Sequence, residues 1–230
     1  MDYSVEKELD GLQAQLQRMR CLNCYVDEGS NESKRYYLSR RTVLEMLRDR
    51  GFAIPSSEIG LSLSDFRSIH GEHPDIDSLR FSATHAVDTS KRILVVFSGP
   101  GIIKVNVIRS TLTQITNRDT LTGLIFVLQN RVTSQALKAI NLFPVKIELF
   151  QITDLLGNIT KHVLKPKHVV LTEKEKQDLL KKYNIEQNQL PRMLQNDAMA
   201  RYYGLERGQV VKITYSGEIT QMHVTYRCVW

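Results

Sequence analysis

The strongest constraint on the fold of this chain is an alternation of continuous apolar runs with helix-periodic segments in its middle third. The runs at residues 93–97 and 124–128 contain no polar side chain, which is typical of parallel strands buried on both faces. A third strand is predicted at 145–152. Helices are predicted between the strands, at 105–115 and 134–140. Strand–helix–strand–helix–strand order predicts a small parallel βαβαβ sheet with right-handed crossovers and helices on both faces.

A long helix is predicted ahead of this sheet, over residues 34–50. Its apolar face runs from Tyr36 to Leu47, and Gly51 supplies the stop. The arginines of this helix, Arg50 among them, are expected to lie on the opposite, solvated face.

The sequence pattern changes near residue 157. Thr172 and Glu175 have the spacing of a capping box and predict the start of a helix. Asp197 predicts the start of a shorter helix that ends at Gly204. Two β-rich runs follow, at residues 209–215 and 223–229, and they predict an antiparallel pair.

Together these patterns predict an α+β protein in three parts. Residues 1–33 form an N-terminal extension, in which residues 1–20 are either a short amphipathic helix or a frayed terminus. Residues 34–156 form a domain around the parallel sheet. Residues 157–230 form a mixed α/β domain that ends in a β-hairpin.

The positive charge of the chain is concentrated in two blocks. Residues 82–147 carry 8 Lys and Arg against 2 Asp and Glu, and residues 161–230 carry 12 against 7. Such blocks are expected where a protein lies near phosphates, and an ordinary solvated face is an equally good explanation.

Metal and cofactor chemistry is not predicted for this sequence. Cys21 and Cys24 have the spacing of half a zinc site, but no second pair follows them. His70 and His73 flank a glycine in a predicted loop and are interpreted as surface histidines. Three cysteines do not make a disulfide framework, so the chain is expected in a reducing compartment. No apolar run approaches the roughly 18 residues that a membrane span needs, so no membrane span is predicted.

Two catalytic motifs are incomplete. Ser98-Gly99-Pro100-Gly101 lies between a strand and a helix but lacks the Gly-Lys-Ser/Thr ending of a phosphate loop, so a tight turn is predicted there. Pro74-Asp75 resembles the first half of a nuclease metal site. No later Asp or Glu is followed two positions on by Lys, so neither the metal nor the attacking water would be organised. No catalytic residue is predicted.

Several segments resemble one family, the fifth-largest subunit of eukaryotic nuclear RNA polymerases, which is related to a small subunit of the archaeal polymerase. In the second half they are NITKHVLKPKH at 158–168, LPR at 190–192, ARYYGLERGQVVKI at 200–213 and Thr225-Tyr226-Arg227. Looser matches in the first half are RDRGF at 48–52 and TGLIFV at 122–127.

The resemblance implies a jaw domain at 34–156 and an assembly domain at 157–230 that docks on the largest polymerase subunit. It implies one copy per complex, a nuclear location, and catalysis by other subunits. The predicted docking residues surround a turn bracketed by two glycines: Arg192, Arg201, Tyr202, Gly204, Gly208, Lys212 and Arg227. An exposed hairpin with free edges needs covering, which a partner would supply.

The resemblance also implies that residues 129–136 approach downstream duplex DNA. The family carries a Thr-Pro-Ser-Ala loop there, and this chain has Thr133-Ser134-Gln135-Ala136. Arg131, Thr133 and Ser134 are therefore predicted to contact the DNA backbone. The alternative is that Ser134 only caps its helix and that Arg131 is solvated.

Some positions differ from the subunit shared by polymerases I, II and III, and they indicate which branch of the family the chain resembles. Ala198 stands where the family commonly has proline, and the loop after Ile213 and the segment 227–230 are also unusual. These departures resemble the plant branch that serves RNA polymerase V, the enzyme of RNA-directed DNA methylation and gene silencing. The alternatives are the subunit shared by polymerases I, II and III and, from another class, a free-standing nucleic-acid-binding protein.

Overall fold

The structure is a computed structural model that describes residues 29–114, 121–140, 142–143, 145–217 and 221–230. The predicted helix at 1–20 and the pair Cys21 and Cys24 lie outside these residues. Within them, no helix is both long enough and apolar enough to cross a membrane.

The first half is built on a four-stranded sheet in the order β1-β2-β3-β4. The strands are β1 (Phe81–Thr84), β2 (Arg92–Phe97), β3 (Gly123–Leu128) and β4 (Lys146–Gln151). β2, β3 and β4 are parallel, with Val95 opposite Ile125 and Ile125 opposite Glu148, so the three predicted strands are confirmed. The fourth strand, β1, runs antiparallel to β2 and was not predicted.

Helices cover both faces of this sheet, as predicted. Helix α1 (Asn31–Asp49) begins at Ser30, whose side chain accepts a hydrogen bond from Glu32 N, and packs on the face that carries Val95 and Ile125. The opposite face is covered by α4 (Val105–Gln114) and α5 (Ser134–Ile140), which pack on Leu94 and Leu124. Successive strand residues point to opposite faces, which explains why both runs are continuously apolar.

Two short helices between α1 and the sheet were not predicted. They are α2 (Ser56–Ile59) and α3 (Leu63–His70), followed by a 3₁₀ turn at Asp77–Leu79. Tyr37 of α1 donates a hydrogen bond to Leu61 O and packs on Phe66 of α3. These elements extend the core around α1.

The second half is built on a smaller sheet in the order β5-β7-β8-β6. Its strands are β5 (Lys167–Val170), β6 (Arg192–Met193), β7 (Val210–Gly217) and β8 (Gln221–Val229). The antiparallel pair β7–β8 confirms the predicted hairpin. Two helices pack on the sheet: α6 (Glu173–Tyr183), which has the predicted capping box, and α7 (Ala198–Tyr203), which starts at Asp197 as predicted.

Candidate docking and nucleic-acid surfaces

The predicted docking residues divide between two places in the structure. Arg192, Lys212 and Arg227 lie on neighbouring strands of the second sheet, where Lys212 pairs with Tyr226, and Arg192 and Arg227 are exposed. Arg227 Nη1 lies 3.5 Å from Arg192 O. Lys212 and Arg192 lie on one face of this sheet and Arg227 on the other, and we call the region that the three residues occupy the hairpin face.

The hairpin face has two members that the sequence did not indicate. The guanidinium of Arg192 lies 4.2 Å from the ring centroid of Trp230, and that of Arg207 lies 5.5 Å from the same centroid. Arginine over an indole face is a favourable cation–π arrangement. Trp230 therefore gathers Arg192 and Arg207, which are separated by 15 positions in sequence, into one cationic and aromatic cluster.

The turn between α7 and β7 needs both of its glycines. Gly204 has φ of +64° and Gly208 has φ of +91°, a region of backbone conformation that favours glycine. A Cβ at Gly204 would lie 3.0 Å from the guanidinium carbon of Arg50. Gly204 is thus required for its conformation and for the close approach of an arginine from the first half.

Arg201 and Tyr202 require a correction to the predicted docking set, because both side chains face the first half of the chain. Arg201 Nη2 donates to Leu149 O at 2.6 Å, and its guanidinium lies 4.6 Å from the Phe150 ring centroid. Tyr202 is only 4% exposed, and its hydroxyl donates to Asp49 Oδ2 at 2.8 Å. Burial raises the pKa of Tyr202 well above its ordinary value of 10.0, so its hydroxyl remains protonated even in strongly alkaline solution.

Arg50 is the centre of the contact between the two halves, and the expectation that it stays solvated is wrong. Its side chain is 6% exposed and binds both carboxylate oxygens of Glu148, at 3.1 and 2.7 Å. It also donates to Tyr202 O at 2.9 Å and to Arg201 O at 2.7 Å. These carbonyls lie at the end of α7, where helical carbonyls lack intrahelical donors. One guanidinium therefore joins α1, β4 and α7.

Glu45 forms a second polar contact between the halves. Its side chain, 3% exposed, accepts hydrogen bonds from Lys161 Nζ and from Asn158 Nδ2, the latter at 2.7 Å. Burial acts to raise the pKa of Glu45, but the hydrogen bonds from Lys161 and Asn158 outweigh it and hold the pKa below its ordinary value. Glu45 is therefore ionised and paired at neutral pH.

The predicted DNA-proximal residues lie at the carboxyl edge of the parallel strands. The loop after β2 and the loop after β3 are joined there by a parallel bridge between Ile103 and Val132. Thr133 N donates to Ile103 O at 3.2 Å, and Asn130 Nδ2 donates to Pro100 O at 3.1 Å. The two loops therefore form one hydrogen-bonded surface, which we call the edge loops.

Basic side chains surround the edge loops. Lys104, Arg131 and Lys138 are exposed and have no ion-pair partner within the part of the chain that the structure describes. The described residues of the 82–147 block contain one acid, Asp88, which pairs with Lys91 in the loop before β2. That loop lies at the opposite, amino edge of the parallel strands, so Asp88 does not offset the positive charge of the edge loops.

The structure corrects the alternative role proposed for Ser134. Thr133 caps α5, because its Oγ1 accepts from Ala136 N at 3.3 Å. Ser134 is the first residue of the helix and is exposed. Its hydroxyl does not serve as the cap.

The candidate metal residues are held apart by other partners. His70 Nδ1 lies 3.3 Å from Ser78 Oγ, whereas His73 Nδ1 lies 3.2 Å from Glu32 Oε2. Among the residues that the structure describes, no group of three or more His, Cys, Asp or Glu side chains could hold a metal ion.

Comparison with protein families finds two matches. Residues 157–229 match the family described as RNA polymerase Rpb5, C-terminal domain, and residues 30–115 match RNA polymerase Rpb5, N-terminal domain. The two matches include all of α1 and all of the hairpin face except Trp230.

Whole-chain relatives agree with the family matches. The chain is 59% identical over 210 residues to DNA-directed RNA polymerase V subunit 5A of Arabidopsis thaliana, covering 91% of this chain and 95% of that protein. It is 56% identical over 204 residues to DNA-directed RNA polymerases IV and V subunit 5B of the same plant, covering 89% and 94%. Identity is 35% over 205 residues to the Caenorhabditis elegans subunit RPABC1 of DNA-directed RNA polymerases I, II, and III, covering 86% and 97%.

Proposed function

The chain belongs to the Rpb5 family of RNA polymerase subunits, and from that premise we propose that it is a non-catalytic subunit of a plant RNA polymerase V. The observation that carries this assignment is the contrast in identity. Nearly the whole chain is 59% identical to a polymerase V subunit but only 35% identical to a subunit shared by polymerases I, II and III. The subunit shared by polymerases I, II and III is the second candidate, because the match covers 97% of the C. elegans relative.

A structural role explains the residues better than a catalytic one. Pro74-Asp75 has no acid–x–lysine sequence after it, and Ser98-Gly99-Pro100-Gly101 lacks the phosphate-binding lysine. Asp75 Oδ1 instead accepts from Asp77 N at 3.3 Å within its own turn. Catalysis would then belong to other subunits of a nuclear complex that contains one copy of this chain.

The hairpin face is the proposed docking surface for the largest subunit. Met222 and Val224 of β8 are 76% and 37% exposed, and Arg192 and Arg227 near the other end of the hairpin are also exposed. β6 pairs with β8 only at Cys228 and Val229, and among the residues that the structure describes no other strand pairs with the outer edge of β8. A partner strand or helix at this edge would satisfy its backbone groups and cover its apolar residues.

The edge loops are the proposed neighbour of downstream duplex DNA. Arg131, Thr133 and Ser134 lie on one hydrogen-bonded surface, next to the exposed Lys104 and Lys138. A polymerase moves over every sequence, so contacts with phosphate rather than with base edges fit this position.

Genetic complementation tests the proposed function. The chain should restore DNA methylation at loci that lose it in an Arabidopsis line without polymerase V subunit 5A. The C. elegans RPABC1 subunit, expressed at the same level, is the control and should not restore it. Stable nuclear expression of the chain with no recovery of methylation would contradict the proposal.

Site-specific cross-linking tests the DNA contact. A photoreactive residue at position 131 or 134 of the assembled elongation complex should label duplex DNA ahead of the active site. Position 87 is the control, because Val87 is 89% exposed in the loop at the opposite edge of the parallel strands. Labelling of protein alone from 131 and 134 would contradict the proposed contact.

A further inference from the structure

A second exposed apolar surface lies at residues 159–165, just before β5. Val163 and Leu164 are 95% and 84% exposed, and Ile159 is 39% exposed. Ile159 and Leu164 line an open groove together with the side chains of Lys161 and Lys165. Single exposed apolar residues are common, but a contiguous set around a groove is typical of an interaction site. We call residues 159–165 the junction turn.

The junction turn is held in one conformation by its own hydrogen bonds. Asn158 Oδ1 accepts from Thr160 N at 2.9 Å and from Thr160 Oγ1 at 2.7 Å. Lys165 N donates to His162 O at 3.0 Å, and Leu164 N lies 3.2 Å from His162 Nδ1. The exposure of Val163 and Leu164 is therefore built into an ordered turn.

The turn is also fastened to the first half of the chain. Lys161 Nζ and Asn158 Nδ2 both donate to the buried carboxylate of Glu45 in α1, and Asn158 Nδ2 lies 3.3 Å from Tyr202 Oη. A partner that binds a surface already ordered in this way loses less conformational entropy on binding.

The charge around the groove indicates the chemistry of the partner. Residues 157–172 contain Lys161, Lys165 and Lys167 and no Asp or Glu. Two acids face this segment: Glu45, which is buried and paired with Lys161, and Asp49, which acts electrostatically on Lys165 and accepts a hydrogen bond from Tyr202 Oη. An approaching segment therefore meets a basic rim around an apolar centre.

We propose that the junction turn is a docking surface for an acidic protein segment that places large apolar side chains against Ile159, Val163 and Leu164. The proposal rests on the proposed function, since the segment would belong to another subunit of the same polymerase. Nucleic acid fits this surface less well, because phosphates would leave Val163 and Leu164 uncovered. A second copy of this chain would set two basic rims against each other.

Charge introduction in the assembled polymerase tests the proposal. Leu164→Asp in the full-length, tagged chain should lower its retention in the complex about tenfold in moderate salt, since it removes an apolar contact and repels an acidic partner. Val163→Asp should have the same effect. Val87→Asp is the matched control, because it introduces the same charge at an equally exposed apolar site and should leave retention unchanged.

Thermal unfolding of the purified variants separates docking from folding. Leu164 is 84% exposed, so Leu164→Asp should unfold at the wild-type temperature. If Leu164→Asp unfolds at a lower temperature, the retention test is decided by Val163→Asp, because Val163 is the more exposed residue. Equal retention of wild type and of both variants would overturn the docking surface while leaving the proposed function intact. Absence of the wild-type chain from the polymerase would instead contradict the proposed function.

Photo-cross-linking from position 164 tests the chemistry of the partner. The linked peptide should come from a polymerase subunit and contain more Asp and Glu than Lys and Arg. Cross-links to a neutral or basic segment, to DNA or to a second copy of this chain would overturn the proposal.

Discussion

At the residue scale, Arg50 connects the two halves of the chain through a single guanidinium. It forms a bidentate pair with Glu148 and donates to two carbonyls at the end of α7. Removing one partner of a buried pair is costly, because the other partner is left without compensation. The role of Arg50 as a bridge is therefore open to direct measurement.

We expect Arg50→Ala to lower the free energy of unfolding by about 3 kcal/mol. Urea denaturation of the full-length protein measures it. Lys91→Ala is the control, because Lys91 and Asp88 form an exposed pair, and a change within about 0.5 kcal/mol is expected there. Equal effects of the two substitutions would show that Arg50 does not carry the contact.

Gly204→Ala should destabilise the protein by about 1–2 kcal/mol, because alanine is strained at positive φ and because its Cβ would lie close to the Arg50 guanidinium. Gly101→Ala is the control, since a Cβ there meets no atom within 4 Å. In the Arg50→Ala background, Gly204→Ala should lower the free energy of unfolding by a smaller amount, because the guanidinium is absent. An unchanged cost would assign the whole effect to backbone conformation.

The buried carboxylate of Glu45 predicts a dependence on pH. Its pKa in the folded protein is below the ordinary 4.5, so its stabilising effect is complete above that pH and is lost as the pH falls through the folded-state pKa. The difference in unfolding free energy between wild type and Glu45→Gln should therefore be smaller at pH 3 than at pH 7. A constant difference would mean that ionised Glu45 adds nothing.

At the scale of elements, the sequence pattern predicted the helices and strands whose position is set by neighbouring residues. β2, β3 and the hairpin were predictable because buried strands need continuous or β-branched apolar runs, and α7 because Asp197 and Gly204 mark its ends. β1 was missed because Phe81-Ser82-Ala83-Thr84 is a short edge strand with two hydroxyl side chains. α2 and α3 were missed because they are short and lack a long helical period.

The residues that the sequence misassigned depend on contacts distant along the chain. Arg50 and Arg201 both read as surface cations, yet Arg50 meets Glu148 and Arg201 stacks on Phe150. Likewise, Trp230 gave no local signal that Arg192 and Arg207 would converge on it. The resemblance to the family pointed to the region of the hairpin face. It could not distinguish the proposed docking residues on that region from the ones whose side chains face the first half.

The edge loops give a prediction at this scale. Binding of the full-length protein to a fluorescent DNA duplex should weaken with salt, and Arg131→Ala should reduce the slope of log affinity against log salt by about one. Lys91→Ala, at the opposite edge of the parallel strands, should leave the slope unchanged. Equal slopes for the two variants, or no binding by wild type at low salt, would contradict a phosphate contact at Arg131.

At the scale of the whole molecule, two small sheets are joined by a polar contact and present three separate surfaces. The hairpin face and the junction turn lie in the second half, whereas the edge loops lie at the carboxyl edge of the first sheet. Arg50 and Glu45 tie α1 to the second half. This arrangement would suit a connecting subunit, because the contact between the halves would fix the proposed docking surfaces relative to the edge loops.

The most direct test of polymerase V membership is the identity of the largest subunit that co-purifies with the chain. A tagged chain should be expressed in Arabidopsis, purified from nuclei and analysed by quantitative mass spectrometry, with tagged subunit 5A purified in parallel. The largest subunit of polymerase V should be the predominant one, in the same proportion as with subunit 5A. Comparable amounts of the largest subunits of polymerases I, II and III, or the absence of any largest subunit, would contradict it.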